Sequence, residues 1–142
     1  MDGKIVFITG STKGIGYAAA QEFLDLGAKV LVNGRNADAC REACQKMWAG
    51  RGCYPVVGDI STPEGRDQVV RRIRELCDQL TGWELLEYPC IDCLVNNAGT
   101  NVRAPALEAD ARDYRRIMDV NLDATYHLSL ALQPFLAESA RL

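Results

Sequence analysis

Between Lys4 and Thr9 the chain runs through Ile, Val, Phe and Ile, then breaks into Gly10-Ser11-Thr12-Lys13-Gly14-Ile15-Gly16 just before helical periodicity sets in. A short apolar run closed by turn residues fits a strand buried on both faces. A strand that ends in glycines and feeds a helix directly leaves few folds open, because the helix must pack back on the sheet as a right-handed crossover. Ile15, Ala19, Phe23 and Leu26 recur at helical spacing and are expected to form the inner side of that helix, with Gly27 as the left-handed residue that ends it.

The alternation continues. Lys29 to Val32 reads as a second strand, and Asn36 as the N-cap of a helix with Cys40, Ala43, Cys44 and Met47 inside, broken at Gly50 to Gly52. Tyr54 to Val57 is the third strand. Thr62-Pro63 then starts a helix that buries Val69, Val70, Ile73, Leu76, Cys77 and Leu80, since proline at the first helical position lacks only an N–H that would be unpaired anyway. Ile91 to Val95 is the fourth strand, and Asp110 with Asp113 opens a long helix running toward Leu136. This order predicts an α/β fold, a Rossmann-type doubly wound parallel sheet with helices on both faces.

With 142 residues there is room for one domain. A net charge of −3 without a block of like charges argues against nucleic acid as a partner, and Arg71, Arg72 and Arg74 read as a solvated helix face. No apolar run approaches the ~20 residues of a membrane span, so no membrane partner is expected and the chain reads as cytoplasmic. Its six cysteines are then expected to be reduced. Cys90-Ile91-Asp92-Cys93 has redox-motif spacing and Cys40 with Cys44 the spacing of a helical metal pair, but these residues also fall on apolar stripes with no histidine near them in sequence. No metal is expected.

A glycine loop between strand and helix suits a phosphate, because helix-terminal N–H groups point outward and the macrodipole favours an anion there. The spacing here is Gly10-x-x-x-Gly14-x-Gly16. Together with Asn96-Asn97-Ala98-Gly99 after the fourth strand and Asp59-Ile60 after the third, it resembles the short-chain dehydrogenase/reductase family of nicotinamide oxidoreductases. The resemblance implies that Gly10, Ser11, Thr12, Lys13, Gly14, Ile15 and Gly16 cradle the cofactor. It further implies that Asp59 and Ile60 meet its adenine, and that Asn97, Ala98 and Gly99 line its adenosine and ribose side. Gly10 to Tyr17, Gly34-Arg35-Asn36 and Tyr126-His127-Leu128 look most like the tropinone-reductase-like branch.

NAD-specific folds carry an acidic residue at the end of the second strand. Here Gly34 stands in that place and Arg35 follows it, with a planar fork of donors suited to a 2′-phosphate. NADP is therefore the expected cofactor, and the resemblance makes Lys13 a second cation for the same phosphate. Asn121 matches the family's helical asparagine, which bends its helix and holds a water of the proton relay. The family's catalytic Tyr-x-x-x-Lys has no match here, and His127 is no substitute.

Residues 1–142 are accordingly expected to be the N-terminal part of a single NADP-binding Rossmann domain, C-terminally truncated and inactive alone. The function expected of the complete protein is NADPH-dependent carbonyl reduction or alcohol oxidation on a small-molecule substrate, and the resemblance implies homo-oligomers paired through the fourth and fifth helices. The alternative is a catalytically inactive nucleotide-binding or interaction fragment. The stretch Thr81 to Pro89 is longer than the family's usual connection and reads as a surface insertion.

Overall fold

The structure, a computed structural model, describes residues 1–47, 52–81, 90–105, 107–108 and 110–137. Its strands are β1 (Ile5–Ile8), β2 (Lys29–Gly34), β3 (Cys53–Val57) and β4 (Cys93–Val95). The helices between and after them are α1 (Gly14–Asp25), α2 (Ala37–Lys46), α3 (Pro63–Thr81), α4 (Ala111–Met118) and α5 (Ala124–Leu132). The sheet order is β3-β2-β1-β4, every pair parallel, so the chain winds outward from β1 in both directions. Strand ends that carry the glycine loop, Arg35, Asp59 and Asn97 therefore come together along one sheet edge.

Alternation along the strands builds two cores. Ile5, Phe7, Leu31 and Val56 face one side, where Val69, Ile73 and Leu76 of α3 and Leu128 and Leu132 of α5 cover them. Val6, Ile8, Val30 and Val32 face the other side, against Ala20 and Leu24 of α1 and Ala43, Cys44 and Met47. Burying each large apolar side chain contributes about 1.5–3 kcal/mol, so β1, with all four residues buried, anchors both layers.

The expected inner stripe of α1 holds in its middle, where Ala19 and Phe23 are half-buried against the core, and is corrected at its two ends. Ile15 is 83% exposed and Leu26 57%, while the buried face is Gly16, Ala20 and Leu24. Gly16 must face inward, since a Cβ there would stand 2.8 Å from the Gly10 carbonyl oxygen. The stripe of α2 is as expected, with Asn36 Oδ1 accepting from Ala39 N at 2.8 Å. Strand β3 begins one residue early, at Cys53, and β4 is shorter than expected. Ile91 instead makes a parallel bridge to Leu136, where its carbonyl accepts from Ala137 N at 2.8 Å.

The long helix starts at Asp110 and Asp113 as read, and Asp110 is its N-cap. Asp110 Oδ1 accepts from Arg112 N at 2.8 Å and Asp113 N at 3.0 Å, and Asp113 closes a capping box. The hydrogen bonds from Arg112 hold the Asp110 carboxyl below its ordinary pKa. Between α4 and α5 the helix widens into a π turn, Asp119–Asp123, with Ala124 N–H reaching back to the Asp119 carbonyl.

The cysteines depart from expectation at one place: Cys77 at the end of α3 and Cys90 before β4 form a disulfide, their Cα atoms 5.8 Å apart. Cys90 thus pairs with Cys77 rather than Cys93. The remaining Cys40, Cys44, Cys53 and Cys93 are free, the first three buried. Burial and the neighbouring Cys44 push the Cys40 thiol up to about 11, and the Cys53 thiol is raised by its hydrogen bond to Cys44. Alkylating the denatured, unreduced protein should label four cysteines, read by mass spectrometry. Labelling of all six would remove the disulfide. The insertion read at Thr81 to Pro89 lies, from Gly82 on, outside the described residues.

Candidate nucleotide site

Thr9, at the end of β1, is 2% exposed and acts as a hub that sequence reading did not single out. Its hydroxyl accepts from Asn97 N at 3.0 Å and Ala98 N at 2.9 Å, and donates to the Val95 carbonyl at 3.4 Å. Asn97 Nδ2 returns two bonds, to the carbonyls of Thr9 at 2.9 Å and Gly10 at 3.2 Å. The Asn97-Ala98-Gly99 segment is thereby laced to the glycine loop. Thr9→Val keeps the shape but leaves the Ala98 N–H without its acceptor and Asn97 N–H with the Val95 carbonyl alone, so urea unfolding should show a loss of about 1–3 kcal/mol. No loss would mean that the hub is idle.

Asn33, on β2, plays the same part on the other side and was equally invisible in the sequence. It is 2% exposed, and its Oδ1 accepts from Gly10 N at 3.3 Å while Nδ2 donates to the carbonyls of Val56 at 3.0 Å and Gly58 at 3.3 Å. Ser11 completes the knot, its hydroxyl donating to the Ile8 carbonyl at 2.7 Å and accepting from Asn33 N at 3.0 Å. One amide thus fixes the ends of three neighbouring strands and the start of the loop.

The loop itself needs its glycines for two different reasons. Gly10 and Gly14 both have φ +62, the left-handed region that side chains rarely adopt. Gly16 has no room. Lys13 is the N-cap of α1 but makes no side-chain cap bond, whereas Asn36 caps α2, the Thr62 hydroxyl accepts from Gly65 N at the start of α3, and Asp110 caps α4. The first-turn N–H groups of α1 are therefore left facing the loop, the arrangement that receives an anion. Lys13 and Ile15 stand exposed beside it.

Arg35 and Asp59 come together at the neighbouring strand ends, with Nη1 4.0 Å from Oδ2. Ser61 holds the other carboxylate oxygen of Asp59, donating from N at 3.1 Å and Oγ at 2.7 Å. Ile60 follows Asp59 with its side chain in the core, 7% exposed, and its carbonyl accepts from Arg66 Nη1 at 2.9 Å, which leaves its main chain at the strand end. Thr12 explains the glycine at the end of β2, because a Cβ on Gly34 would stand 2.6 Å from the Thr12 methyl. Asn121 sits in the π turn and brackets Thr100, accepting from its N–H at 2.7 Å and donating to its carbonyl at 3.0 Å. His127 is an exposed residue in edge-to-face contact with Tyr126.

Beyond Arg35 lies a cavity of about 340 Å³ whose lining includes Ser61 and, from α4 and the π turn, Arg112, Arg115, Arg116 and Val120. The α4 arginines gave no signal in the sequence, where they look like a solvated helix face. Among the described residues no cluster of His, Cys, Asp or Glu could hold a metal, and no helix is long and apolar enough to cross a membrane.

An open parallel sheet with an uncapped glycine loop at the end of its first strand defines a Rossmann-type fold. The family model for short chain dehydrogenase matches residues 4–141, and the chain belongs to that oxidoreductase family. It is similar to a tropinone reductase homolog of Arabidopsis thaliana, 36% identical over 137 residues, which are 96% of this chain and 48% of the relative. Among solved structures it resembles the RhlG/NADP active-site complex of Pseudomonas aeruginosa, with a TM-score of 0.85 and 28% identity over 99% of this chain and 50% of that one. It likewise resembles L-sorbose reductase of Gluconobacter frateurii complexed with NADPH and L-sorbose, at a TM-score of 0.78 and 32% identity over 94% of this chain and 48% of that one. The chain spans about half the length of the curated relatives it matches.

Proposed function

We propose that this chain supplies the NADP-binding part of a reductase that passes a hydride between NADPH and a small-molecule carbonyl or the corresponding alcohol. The observation that carries the reading is α1, which starts from a glycine loop without a side-chain cap. Its free N–H groups suit the cofactor's pyrophosphate, with Gly10, Ser11, Thr12, Gly14, Ile15 and Gly16 as the cradle. The exposed guanidinium of Arg35 and the ammonium of Lys13 suit the 2′-phosphate. Asp59 offers an acceptor for the adenine amine, and Asn97, Ala98 and Gly99 form the wall beside the ribose.

The reduced nicotinamide supplies the hydride when bound. Asn121, locked to Thr100, is suited to hold a water in a proton path to the reacting oxygen. NADP and NADPH complexes among the similar structures support the choice of cofactor. Self-association is part of the proposal, since Leu122, Tyr126 and Leu130 stand 53%, 60% and 57% exposed at four-residue intervals along the long helix. Fluorescence titration should find NADPH held ten- to a hundredfold more tightly than NADH, the effect of about 1.5–3 kcal/mol from a charge-assisted hydrogen bond. Equal affinities would defeat the NADP assignment.

A further inference from the structure

We propose that the cavity between the strand ends and α4 receives the 2′-phosphorylated adenosine end of the cofactor and that Arg116 is a second phosphate-binding arginine, acting with Arg35. This inference rests on the NADP reading and adds to it a specificity-determining residue from a part of the chain far from the second strand.

The cavity is a cleft open to solvent and lined from three separate places: Arg35 follows β2, Ser61 follows β3, and the rest of its wall comes from α4 and the π turn. Four arginines line it and only one carboxylate, that of Asp119. The arginines are not equivalent. Arg112 is occupied, its Nε and Nη2 donating to Asp110 Oδ2 at 2.9 and 2.7 Å. Arg115 lies between two carboxylates, 3.7 Å from Asp119 Oδ1 and 3.8 Å from Asp123 Oδ2. Arg35 has only the long contact to Asp59 at 4.0 Å. Arg116 has no carboxylate and no hydrogen-bond acceptor among the described residues.

An exposed arginine without a partner is ordinarily a solvated group that contributes little. Arg116 differs because it lines the same open cleft as Arg35, which also lacks a close partner. Two guanidiniums from different elements around one cavity can grip a phosphate through planar forks without the strain of turning two residues of one strand toward it. Val120, four residues on from Arg116 and also in the lining, offers an apolar surface for a purine ring. The class of ligand is therefore an adenosine carrying an extra phosphate on its ribose.

The test is calorimetry on the protein with adenosine 2′,5′-bisphosphate and with adenosine 5′-monophosphate, for the wild type, Arg116→Ala and Arg116→Lys. Arg116→Ala should weaken the bisphosphate about tenfold and leave the monophosphate within about twofold, with Arg116→Lys between wild type and alanine. If Arg116→Ala leaves the bisphosphate unchanged, or weakens both ligands equally, the assignment of Arg116 falls while the NADP reading stands. If the wild type itself does not prefer the bisphosphate, both fall together.

Discussion

Gly16→Ala is expected to cost the protein at least tenfold in NADPH affinity and about 1–3 kcal/mol in stability, although it adds a single methyl group to a helix. The new Cβ would meet Asn97 Nδ2 and stand 2.8 Å from the Gly10 carbonyl oxygen and 2.9 Å from Ser11 Cα. Two of these neighbours are backbone atoms that no rotamer change can move. Relief must come from displacing the loop or from expelling the Asn97 amide from its bonds to Thr9 and Gly10. Gly14→Ala is the informative control: its Cβ meets nothing within 4 Å, so only the left-handed φ of +62 opposes it. Thermal unfolding and NADPH titration of both variants separate crowding from backbone strain. Wild-type affinity in Gly16→Ala would show that contact between loop and Asn97 has no bearing on the nucleotide.

Arg35→Ala is expected to lower NADPH affinity ten- to a hundredfold and leave NADH within about twofold, which removes the preference without creating the opposite one. Reversal needs an acidic residue at the end of β2, and the structure shows why Gly34→Asp alone is a poor route. The Thr12 methyl is 2.6 Å and Cys40 Sγ 3.1 Å from where its Cβ would stand. Gly34→Asp with Arg35→Ala should therefore weaken both cofactors, whereas adding Thr12→Gly should yield tighter binding of NADH than NADPH. The double variant binding NADH better than the wild type does would show that Thr12 yields freely and that position 34 alone decides.

Much of the frame was legible in the sequence because strands and helix caps are written locally. Asn36, Thr62-Pro63 and Asp110 announce helix starts through bonds three residues long, and the structure has all three there. The stripe of α1, right at Ala19 and Phe23, was misread at Ile15 for a physical reason: its most constrained inward position is a glycine, which carries no hydrophobic weight, so the period locked onto Ile15 beside it. Thr9 and Asn33 escaped because their roles exist only after folding, in bonds to residues 88 and 23 positions away. The Cys77–Cys90 bond was hidden by the nearer pair Cys90 and Cys93, and the arginines of α4 by their ordinary look on a helix. Of the candidate site, the loop, Arg35, Asp59 and Asn97 stand at neighbouring strand ends, and Ile60 beside Asp59 turns its side chain into the core.

The π turn at Asp119–Asp123 makes the long helix a phase shifter. One extra residue in a turn rotates everything beyond it by roughly 100° relative to an uninterrupted helix. On one side of the offset the helix presents Arg112 and Arg116 to the cavity, and on the other it buries Leu128 and Leu132. A one-residue deletion there would leave a perfectly good helix and still be ruinous, because the two halves could no longer face their own neighbours at once. Length, more than composition, is what this stretch has to conserve.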